Sequence, residues 1–461
     1  MTLERATENQ KPPRVVIVGG GFGGLYAART LAKAPVQVTL VDKRNYHLFR
    51  PMLYQVATGL LSADQIAAPL RSILSRQRNV DVLMAEVTGI DTDKQLAEMS
   101  QGSLHYDFLI LATGIQYDYF GHEDWKEAAP GLDSVDDADR IRGKILLAFE
   151  AAERIASEAG ADTPSVRELL TFVIVGAGTA GVEMAGTMAE MARLALARDF
   201  RHIDPRSARI LLYEAGPRIL PTYPEELSRQ AHHHLEQLGV TIRTGEKVEQ
   251  VTSGGVTVQG NWIPSRTVIW CAGVLASPAA HWLGAQTDRS GRIHVNSDLS
   301  VPGYRNVFAI GDTALVTAYS RNILGIRSKT PETLPGVAQP AIQEGKYVAD
   351  LIRRRVTASA PPEPFWYWDK GNLAVVGRTF ALADLGVTKF AGFSAWLVWL
   401  GVHIYFLIGF ANRLLVMLQW AMSFLTKRRG VRIFPFNPGD QPEMLVPDEH
   451  ASIPVAPSKH E

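Results

Sequence analysis

Two glycine-rich segments have the residue spacing that binds a pyrophosphate. They are Gly19-Gly20-Gly21-Phe22-Gly23-Gly24 and Gly176-Ala177-Gly178-Thr179-Ala180-Gly181. In a GxGxxG turn, the first glycine makes the turn and the second lets the backbone approach the phosphates. The third lets the following helix pack closely on the sheet. The pyrophosphate then lies at the positive N-terminal end of that helix. Each segment therefore predicts a dinucleotide site.

An acidic residue follows each glycine segment at the place where a ribose is bound. A second apolar segment ends in Asp42, followed by Lys43, and its later counterpart ends in Glu214. A carboxylate there accepts hydrogen bonds from the ribose hydroxyls and repels a 2′-phosphate, so Glu214 favours NADH over NADPH. One GxGxxG is a weak signal, but two copies in the same context make a plain glycine turn a poor explanation.

The elements that must position these residues are short parallel strands and helices. Apolar segments at 15–18 and 172–175 precede the two glycine turns, and helical segments at 25–32 and 182–196 follow them. Two further apolar segments end in small residues or in an acid: 109–111 leads into Ala112-Thr113-Gly114, and 306–310 leads into Gly311-Asp312. The sequence predicts an α/β protein with two Rossmann-like dinucleotide-binding domains.

The composition excludes several classes of protein. The chain has 461 residues, 47 basic and 47 acidic side chains, and one cysteine, Cys271. One cysteine excludes an intrachain disulfide and any CxxC pair, and the neutral balance argues against nucleic-acid binding. The consecutive histidines 232–234 would point in different directions along a helix, so no metal site is predicted.

The C-terminal part of the chain has a different composition. No residue from 390 to 412 carries a formal charge, and after Arg413 a second uncharged run reaches residue 426. This tract could form a buried hairpin of core helices, span a bilayer, or lie in the membrane interface. We expect the third, because tryptophans favour that interface and a basic cluster at 427–432 would face anionic headgroups.

The order of these segments resembles the two-dinucleotide-binding flavoprotein reductases. Within them, the chain looks most like the type II NADH dehydrogenases, single-subunit NADH:quinone oxidoreductases that pump no protons. The match runs from about residue 14 to about 436. The segments that match are 46–59, 176–186, the Ala-Gln-Pro-Ala-Ile-Gln-Glu-Gly stretch at 338–345, and the hydrophobic tract after 370–373.

The resemblance implies a domain organisation. It predicts a discontinuous FAD-binding domain over 14–125 and 290–365, with an NADH-binding domain inserted at 126–289. A helical membrane-anchoring region would occupy 366–436. Residues 1–13 and 437–461 are expected to be disordered, since both ends are polar and the tail is rich in proline and charge.

The resemblance also assigns roles to individual residues. It implies that Glu183, Gln339 and Gln343 are catalytic, Glu183 beside the nicotinamide and the two glutamines lining a quinone site next to the flavin. Without it, Glu183 is an ordinary acid near a helix N-terminus, and the glutamines share one face of a surface helix. The residues implied to bind FAD are Gly19, Gly21, Phe22, Gly23, Gly24, Asp42, Lys43, Pro51, Gln55, Ala112, Thr113, Gly114, Gly311, Asp312, Ala338 and Gln339; those implied to bind NADH are Gly176, Gly178, Gly181, Glu183 and Glu214.

The predicted function is transfer of a hydride from NADH to FAD and of two electrons to a membrane quinone. The hydrophobic tract has no ladder of acids or lysines, so we expect no proton pumping. The predicted location is the cytoplasmic face of the cell membrane, bound peripherally, and a homodimer is left open. Two alternatives are an NADH-dependent reductase of a small electron-carrier protein and a membrane-bound, NADH-responsive flavoprotein with a signalling role. A sulfide:quinone oxidoreductase would need a cysteine pair.

Overall fold

The computed structural model describes residues 11–426 and 429–433. Most of the N-terminus and all of the tail predicted to be disordered lie outside these residues. The strands are β1 (Arg14–Val18), β2 (Gln37–Asp42), β3 (Tyr46–Leu48), β4 (Ala67–Pro69), β5 (Val80–Met84), β6 (Val87–Asp91), β7 (Leu96–Met99), β8 (Gly102–His105), β9 (Phe108–Leu111), β10 (Ile115–Tyr117), β11 (Thr171–Val175), β12 (Arg209–Glu214), β13 (Val240–Thr244), β14 (Val248–Thr252), β15 (Gly255–Val258), β16 (Asn261–Pro264), β17 (Thr267–Trp270), β18 (Val274–Ala276), β19 (Ile293–His294), β20 (Val307–Ala309), β21 (Ala314–Leu315), β22 (Thr317–Arg321), β23 (Glu332–Thr333), β24 (Trp366–Trp368), β25 (Asn372–Val375), β26 (Ala381–Asp384) and β27 (Lys389–Gly392).

The α-helices begin and end as follows: α1 (Phe22–Thr30), α2 (Leu53–Ala57), α3 (Ala63–Ile66), α4 (Leu70–Leu74), α5 (Trp125–Ala128), α6 (Val135–Ala159), α7 (Pro164–Leu169), α8 (Thr179–Glu190), α9 (Glu225–Gln237), α10 (Ala279–Leu283), α11 (Ala338–Val356), α12 (Phe393–Phe406) and α13 (Phe410–Thr426). The long helix α6 begins where Ser134 and Asp137 form a capping box.

The first nucleotide unit is built on a five-stranded sheet in the order β20-β9-β1-β2-β5. All of its pairings are parallel. The four residues 15–18 are buried, as expected for a strand covered on both faces by helices. Helix α1 packs closely against α11, where Gly345 allows the two backbones to approach. Residues distant in sequence therefore complete one domain.

The second unit repeats this plan with the parallel sheet β13-β12-β11-β17. Each unit also carries a three-stranded antiparallel sheet, β6-β7-β8 in the first and β14-β15-β16 in the second. The α/β fold with two Rossmann-like units is thus confirmed. The strands predicted before and after each glycine turn are β1, β2, β11 and β12.

Two short strands carry the chain between the units. β10 and β18 pair antiparallel, with Gln116 opposite Leu275. Beside them, the hydroxyl groups of Thr113 and Ser277 are hydrogen-bonded, and Thr113 also lies 3.1 Å from the hydroxyl of Thr313. These hydrogen bonds hold the two segments that connect the units together at the edge of the first unit. The exact domain bounds given above remain predictions.

The C-terminal part consists of the antiparallel sheet β25-β26-β27 and the helices α12 and α13. Trp399 and Trp420 pack against each other between the two helices, with ring centroids 5.4 Å apart. The outer faces expose large apolar side chains, among them Leu397, Leu418 and Leu425. In the described part of the chain, no helix is both long and apolar enough to cross a membrane.

Arg429 and Arg432, which belong to the basic cluster predicted at 427–432, are not placed as expected. Lys427 and Arg428 lie outside the described residues. Arg429 is buried and donates hydrogen bonds to the carbonyl oxygens of Thr58, at 2.6 Å, and Thr187, at 2.7 Å. Arg432 forms an ion pair with Asp199. For these two arginines the prediction is wrong, because both side chains turn toward the protein instead of a lipid surface.

Candidate active site

The two glycine turns have the same geometry. A Cβ on Gly19 would overlap the carbonyl oxygen of Ala112, and one on Gly176 would meet the backbone of Ala272 at 2.7 Å. Both glycines have positive φ, +107° and +97°. The third glycines, Gly24 and Gly181, lie against the carbonyl oxygens of the first. Each turn is therefore held tightly at its first and third glycine.

The middle glycine of each turn instead faces open space. A Cβ on Gly21 or on Gly178 would meet no atom of the described residues within 4 Å. These two glycines are the N-caps of α1 and α8, and no described side chain caps either helix. The backbone N–H groups of both helix ends are therefore available to an anion, which is the arrangement that a dinucleotide pyrophosphate requires. The residues present fit a dinucleotide in each unit.

The acids predicted to bind ribose lie beside these turns. Asp42 accepts hydrogen bonds from the backbone N–H of Gly20, at 2.6 Å, and of Arg44, at 2.7 Å. Glu214 does the same with Ala177 and Gly216, both at 2.8 Å. Each carboxylate therefore has a fixed orientation at the end of its strand. Lys43 is exposed next to Asp42.

The first unit brings a second group of predicted residues to the same place. Gly311, with φ of +63°, lies against Ala341 of α11, and Asp312 lies 3.1 Å from the position of a Cβ on Gly336. Burial raises the pKa of Asp312, and Arg50 and Arg292 partly oppose that rise. Gly114 donates its N–H to the hydroxyl of Thr313 at 2.9 Å. The Ala112–Gly114 and Gly311–Asp312 segments therefore form one wall.

Glu344, a residue for which no role was predicted, holds this wall in place. Its carboxylate accepts the N–H of Gly311 at 2.5 Å, and only 1% of the residue is exposed. Burial raises its pKa to about 7, although the Gly311 N–H opposes the rise. A glutamate five residues after Gln339 gives no separate signal in a sequence, since the same position would suit a surface helix.

Helix α11 begins within the Ala-Gln-Pro segment, where a helix N-terminus was predicted, so Gln339 lies in its first turn. The helix begins at Ala338, and the side-chain oxygen of Gln339 is buried without a hydrogen-bond partner among the described residues. An unpaired buried amide oxygen costs stability unless a ligand satisfies it. The site beside Asp312 is therefore suited to the polar edge of a bound ring system.

The side chain of Gln343 contacts the backbone of Trp368. Its amide nitrogen donates to the carbonyl oxygen of Trp368, and its oxygen accepts the N–H of Trp368, both at 2.9 Å. Both polar groups of the side chain are thus used to hold β24 against α11. The structure gives Gln343 a positioning contact, so the two predicted glutamines are not equivalent.

Glu183 lies inside the molecule, in the first turns of α8. It is 7% exposed, and its carboxylate accepts a long hydrogen bond, 3.4 Å, from the N–H of Val375. Burial raises its pKa to about 8, which means that it holds a proton near neutral pH. The hydroxyl of Tyr54 lies close enough for the two groups to influence each other electrostatically. Val375 and Tyr54 connect this acid to the C-terminal sheet and to α2.

Gln55 links the first unit to the C-terminal helices. The residue is 2% exposed and follows Pro51, which lies in the 3₁₀ turn Arg50–Met52. Its amide nitrogen donates to the hydroxyl of Tyr54 at 2.9 Å, and its oxygen accepts the indole N–H of Trp420 at 2.7 Å. Gln55 was predicted to lie at the site, but no pattern in the sequence indicates Trp420 as its partner.

A cavity of about 60 Å³ lies next to this link. Its partly exposed lining includes Leu194, Trp396 and Phe424, with the guanidinium of Arg378 over the Phe424 ring, and its buried lining includes Tyr54 and Gln55. The indole nitrogen of Trp399, which lines the cavity, has no hydrogen-bond partner among the described residues. The cavity therefore has an apolar entrance, a free donor and a polar end.

His47 is a second residue whose position was not foreseen. It is 1% exposed, its Nδ1 lies 3.0 Å from the carbonyl oxygen of Gly20, and its ring packs edge-on against Phe22 at 5.0 Å. Burial lowers its pKa to about 4, so the ring is neutral at physiological pH. Through its contacts with Gly20 and Phe22, His47 stabilises the first glycine turn.

The comparisons with known proteins agree with this geometry. Residues 13–345 match the family model "Pyridine nucleotide-disulphide oxidoreductase" and residues 369–429 match "NDH2 C-terminal domain". The type II NADH:quinone oxidoreductase Ndh of Mycobacterium tuberculosis is 44% identical over 91% of this chain and 90% of that protein. The chain belongs to the type II NADH:quinone oxidoreductases. The predicted resemblance is thus confirmed.

More distant members of the type II family and solved structures extend the comparison. The type II NADH:quinone oxidoreductase of Staphylococcus aureus is 30% identical over 80% of this chain and 88% of its own. The structure of NDH2 from Plasmodium falciparum in complex with NADH has a TM-score of 0.79 and 20% identity. It covers 90% of this chain and 99% of that one, and at this identity it supports the fold alone.

Proposed function

We infer that this chain is an NADH:quinone oxidoreductase that holds FAD in its first nucleotide unit and binds NADH at its second. The observation that carries this conclusion is the pair of uncapped helix N-termini, each behind a glycine turn with open space and an oriented acid. FAD, when bound, accepts a hydride from NADH and delivers two electrons to a quinone. The named relatives do not favour the alternatives of a carrier-protein reductase or a signalling flavoprotein.

The residues of the first unit would bind and orient the cofactor. The free N–H groups at the start of α1 suit its pyrophosphate, and Asp42 suits the ribose of its adenosine half. Asp312, held by the Gly311–Glu344 contact, would fix the ribityl side of the site. The unpaired oxygen of Gln339 and the N-terminus of α11 would contact the polar edge of the ring.

The second unit would bind NADH and discriminate against NADPH. The α8 N-terminus suits the pyrophosphate, and the fixed carboxylate of Glu214 would repel a 2′-phosphate. Glu183 would lie near the nicotinamide. Its protonated side chain is uncharged near neutral pH and would donate a proton on the inner side of the site, which leaves a carboxylate there until the residue is protonated again.

The quinone would reach the inner residues from the C-terminal helices. The cavity beside Trp420 leads from the partly exposed Trp396 and Phe424 to Gln55, and its apolar entrance suits a lipophilic ring. The free indole N–H of Trp399 could donate to a quinone carbonyl on this route. The exposed apolar faces of α12 and α13 would lie in the membrane interface, on the cytoplasmic side where NADH is available.

A direct assay tests this function. The purified full-length chain, loaded with FAD, is mixed with NADH or NADPH and a short-chain quinone analogue. We expect rapid quinone reduction with NADH and much slower reduction with NADPH. Absence of NADH-dependent quinone reduction, in a preparation whose flavin is bleached by NADH, would contradict the proposed acceptor while leaving the NADH site intact.

A further inference from the structure

An exposed apolar turn lies apart from the C-terminal helices. Residues 321–327, which we name the 321–327 turn, follow β22 and are closed by a bridge between Arg321 and Arg327. At its tip Leu324 is 69% exposed and Ile326 is 60% exposed, and Ile323 is exposed as well. Three large apolar side chains at one tip form a patch that water does not favour.

The turn is firmly built. The side-chain oxygen of Asn322 accepts the N–H groups of Leu324, at 3.1 Å, and Ile326, at 3.0 Å. The backbone N–H of Asn322 donates to the carbonyl oxygen of Ile326 at 3.0 Å, and Gly325 has a φ of +78°. A specific hydrogen-bonded structure therefore displays the apolar tip and leaves most of the surface of Leu324 and Ile326 exposed among the described residues.

Cations and aromatic rings surround the tip. The guanidinium of Arg327 lies 5.1 Å from the ring of Trp366, and that of Arg321 lies 5.9 Å from the ring of Trp368. Lys329 is exposed just beyond the turn. Apolar side chains next to tryptophans and basic residues are the composition that binds the headgroup region of an anionic bilayer.

The turn is continuous with the C-terminal helices. The ammonium of Lys370 lies 5.1 Å from the ring of Trp368 and 5.3 Å from the ring of Phe406, at the end of α12. Next to Phe406, Tyr405 is 70% exposed, and Phe410, at the start of α13, is 82% exposed. One row of contacts thus joins the turn to the connection between α12 and α13.

We propose that the 321–327 turn is a second lipid contact, which places Leu324 and Ile326 in the headgroup region of an anionic bilayer while Arg321, Arg327 and Lys329 bind lipid phosphates. The proposal rests on the membrane association of the C-terminal helices given under the proposed function. A second copy of the chain fits less well. A two-fold contact between identical patches would bring the same cations face to face.

Two contact points would fix how the molecule sits on the membrane. A pair of interfacial helices alone allows the body to rock about their long axes. A rigid turn beside the α12–α13 connection prevents this and keeps the cavity mouth at the level of the lipid. The turn would therefore act in membrane orientation and has no part in the chemistry.

Site-specific fluorescence tests the contact. A Leu324→Cys variant of the full chain is labelled with an environment-sensitive fluorophore. The unsubstituted chain, in which burial raises the pKa of the Cys271 thiol to about 12, measures the background labelling. A Gln101→Cys variant, on the exposed β7–β8 turn, is the matched control. On anionic vesicles we expect a blue shift and a rise of roughly twofold at position 324 only. No change at position 324 in vesicle-bound protein would overturn the proposal.

Vesicle binding separates this proposal from the proposed function. We expect Leu324→Asp with Ile326→Asp to weaken binding to vesicles containing phosphatidylglycerol by about tenfold or more. Leu418→Asp with Leu425→Asp, on α13, tests the C-terminal anchor in the same assay. If the turn variant binds like the native chain and the α13 variant does not, the turn proposal is wrong and the anchor stands. If neither variant loses binding, the anchor itself is wrong.

Two further measurements complete the test. NADH-dependent flavin bleaching and thermal unfolding should be unchanged in the turn variant, which shows that it is folded. Light scattering measures the oligomeric state. A dimer that the turn substitutions convert to a monomer, with lipid binding unchanged, would assign the patch to a second copy and overturn the proposal.

Discussion

The indole N–H of Trp420 donates a 2.7 Å hydrogen bond to the side-chain oxygen of Gln55, across 365 residues of chain. Gln55 in turn donates to the hydroxyl of Tyr54, which interacts electrostatically with Glu183. A polar link therefore runs from the C-terminal helices, where a lipophilic substrate would enter, to a buried acid of the second unit. Substitutions along this link should affect the quinone step more than the NADH step.

Trp420→Phe removes the indole N–H and keeps an aromatic ring in place. Leaving the buried oxygen of Gln55 unpaired costs about 1–3 kcal/mol of stability, which favours reorientation of this side chain at the inner end of the cavity. We therefore expect kcat/KM for the quinone to fall roughly tenfold. The rate of NADH-dependent ferricyanide reduction should stay close to that of the native enzyme. Trp396→Phe, on the wall of the same cavity, is the control for packing. An equal fall in both activities would contradict the link.

The protonated state of Glu183 predicts how stability depends on pH. Its pKa is raised from 4.5 to about 8 in the folded chain. Between these two pH values the folded state keeps a proton that the unfolded state has lost, so this group makes stability fall as pH rises. Glu183→Gln should remove that slope and stabilise the chain above about pH 8, by an amount on the order of a few kcal/mol.

Chemical denaturation between about pH 5 and pH 9 measures this difference. Glu153→Gln is the matched control, because hydrogen bonds from residues 201–203 lower the pKa of Glu153 to about 2. The ionised carboxylate of Glu153 therefore contributes its full stabilisation throughout this pH range. Glu153→Gln should lower the free energy of unfolding by the same amount at every pH. If the two variants have parallel curves, Glu183 is not buried in its protonated form.

Glu214 should determine the choice between NADH and NADPH. Glu214→Gln keeps an acceptor for the N–H of Ala177 and removes the charge that repels a 2′-phosphate. We expect the ratio of kcat/KM for NADPH to that for NADH to rise about tenfold or more. Asp42→Asn, in the first unit, should weaken flavin retention without altering this ratio. An unchanged ratio in the Glu214 variant would exclude its role in discrimination.

The glycine turns predict opposite outcomes for neighbouring positions. A methyl group on Gly21 meets open space, whereas one on Gly24 would overlap the carbonyl oxygen of Gly19. Gly21→Ala should therefore fold with nearly native stability but lose flavin affinity, as measured by the flavin released on dilution. Gly24→Ala should lose about 1–3 kcal/mol of stability or more, measured by denaturation, because the tightly packed site has no room for the methyl group.

Arg429 should be essential for stability. Its buried guanidinium binds two backbone carbonyl groups and lies near Glu190, so Arg429→Ala should cost about 3–5 kcal/mol. Arg432→Ala removes a half-exposed pair with Asp199 and should cost at most about 1 kcal/mol. Equal midpoints for the two variants in urea denaturation would show that the burial of Arg429 contributes little.

The local features of the site could be predicted from the sequence, because they depend on short-range geometry. Gly19, Gly176, Asp42 and Glu214 lie in strand–turn–helix units whose spacing determines their positions. The contact between Gln343 and Trp368 could not be predicted in this way. A glutamine on a helix gives no indication of which distant backbone will meet it.

The C-terminal part illustrates the same limit. The charge pattern correctly marked an apolar segment, yet it assigned Arg429 to a lipid surface. Whether a guanidinium faces solvent or enters the core depends on which backbone carbonyl groups it can reach, here those of Thr58 and Thr187, which come from two other parts of the chain. Composition does not reveal such acceptors.

The sheet order of the first unit has a consequence for biosynthesis. In this sheet, strand β9 lies between β1 and β20. In the sequence, β1 precedes the inserted second unit and β20 follows it. On the ribosome, the inserted unit emerges as one contiguous piece and can fold while β20 is still unmade. The first unit, which we propose holds the flavin, is finished only after α11 has been translated, so we expect cofactor loading to be one of the last events in the maturation of the newly made chain.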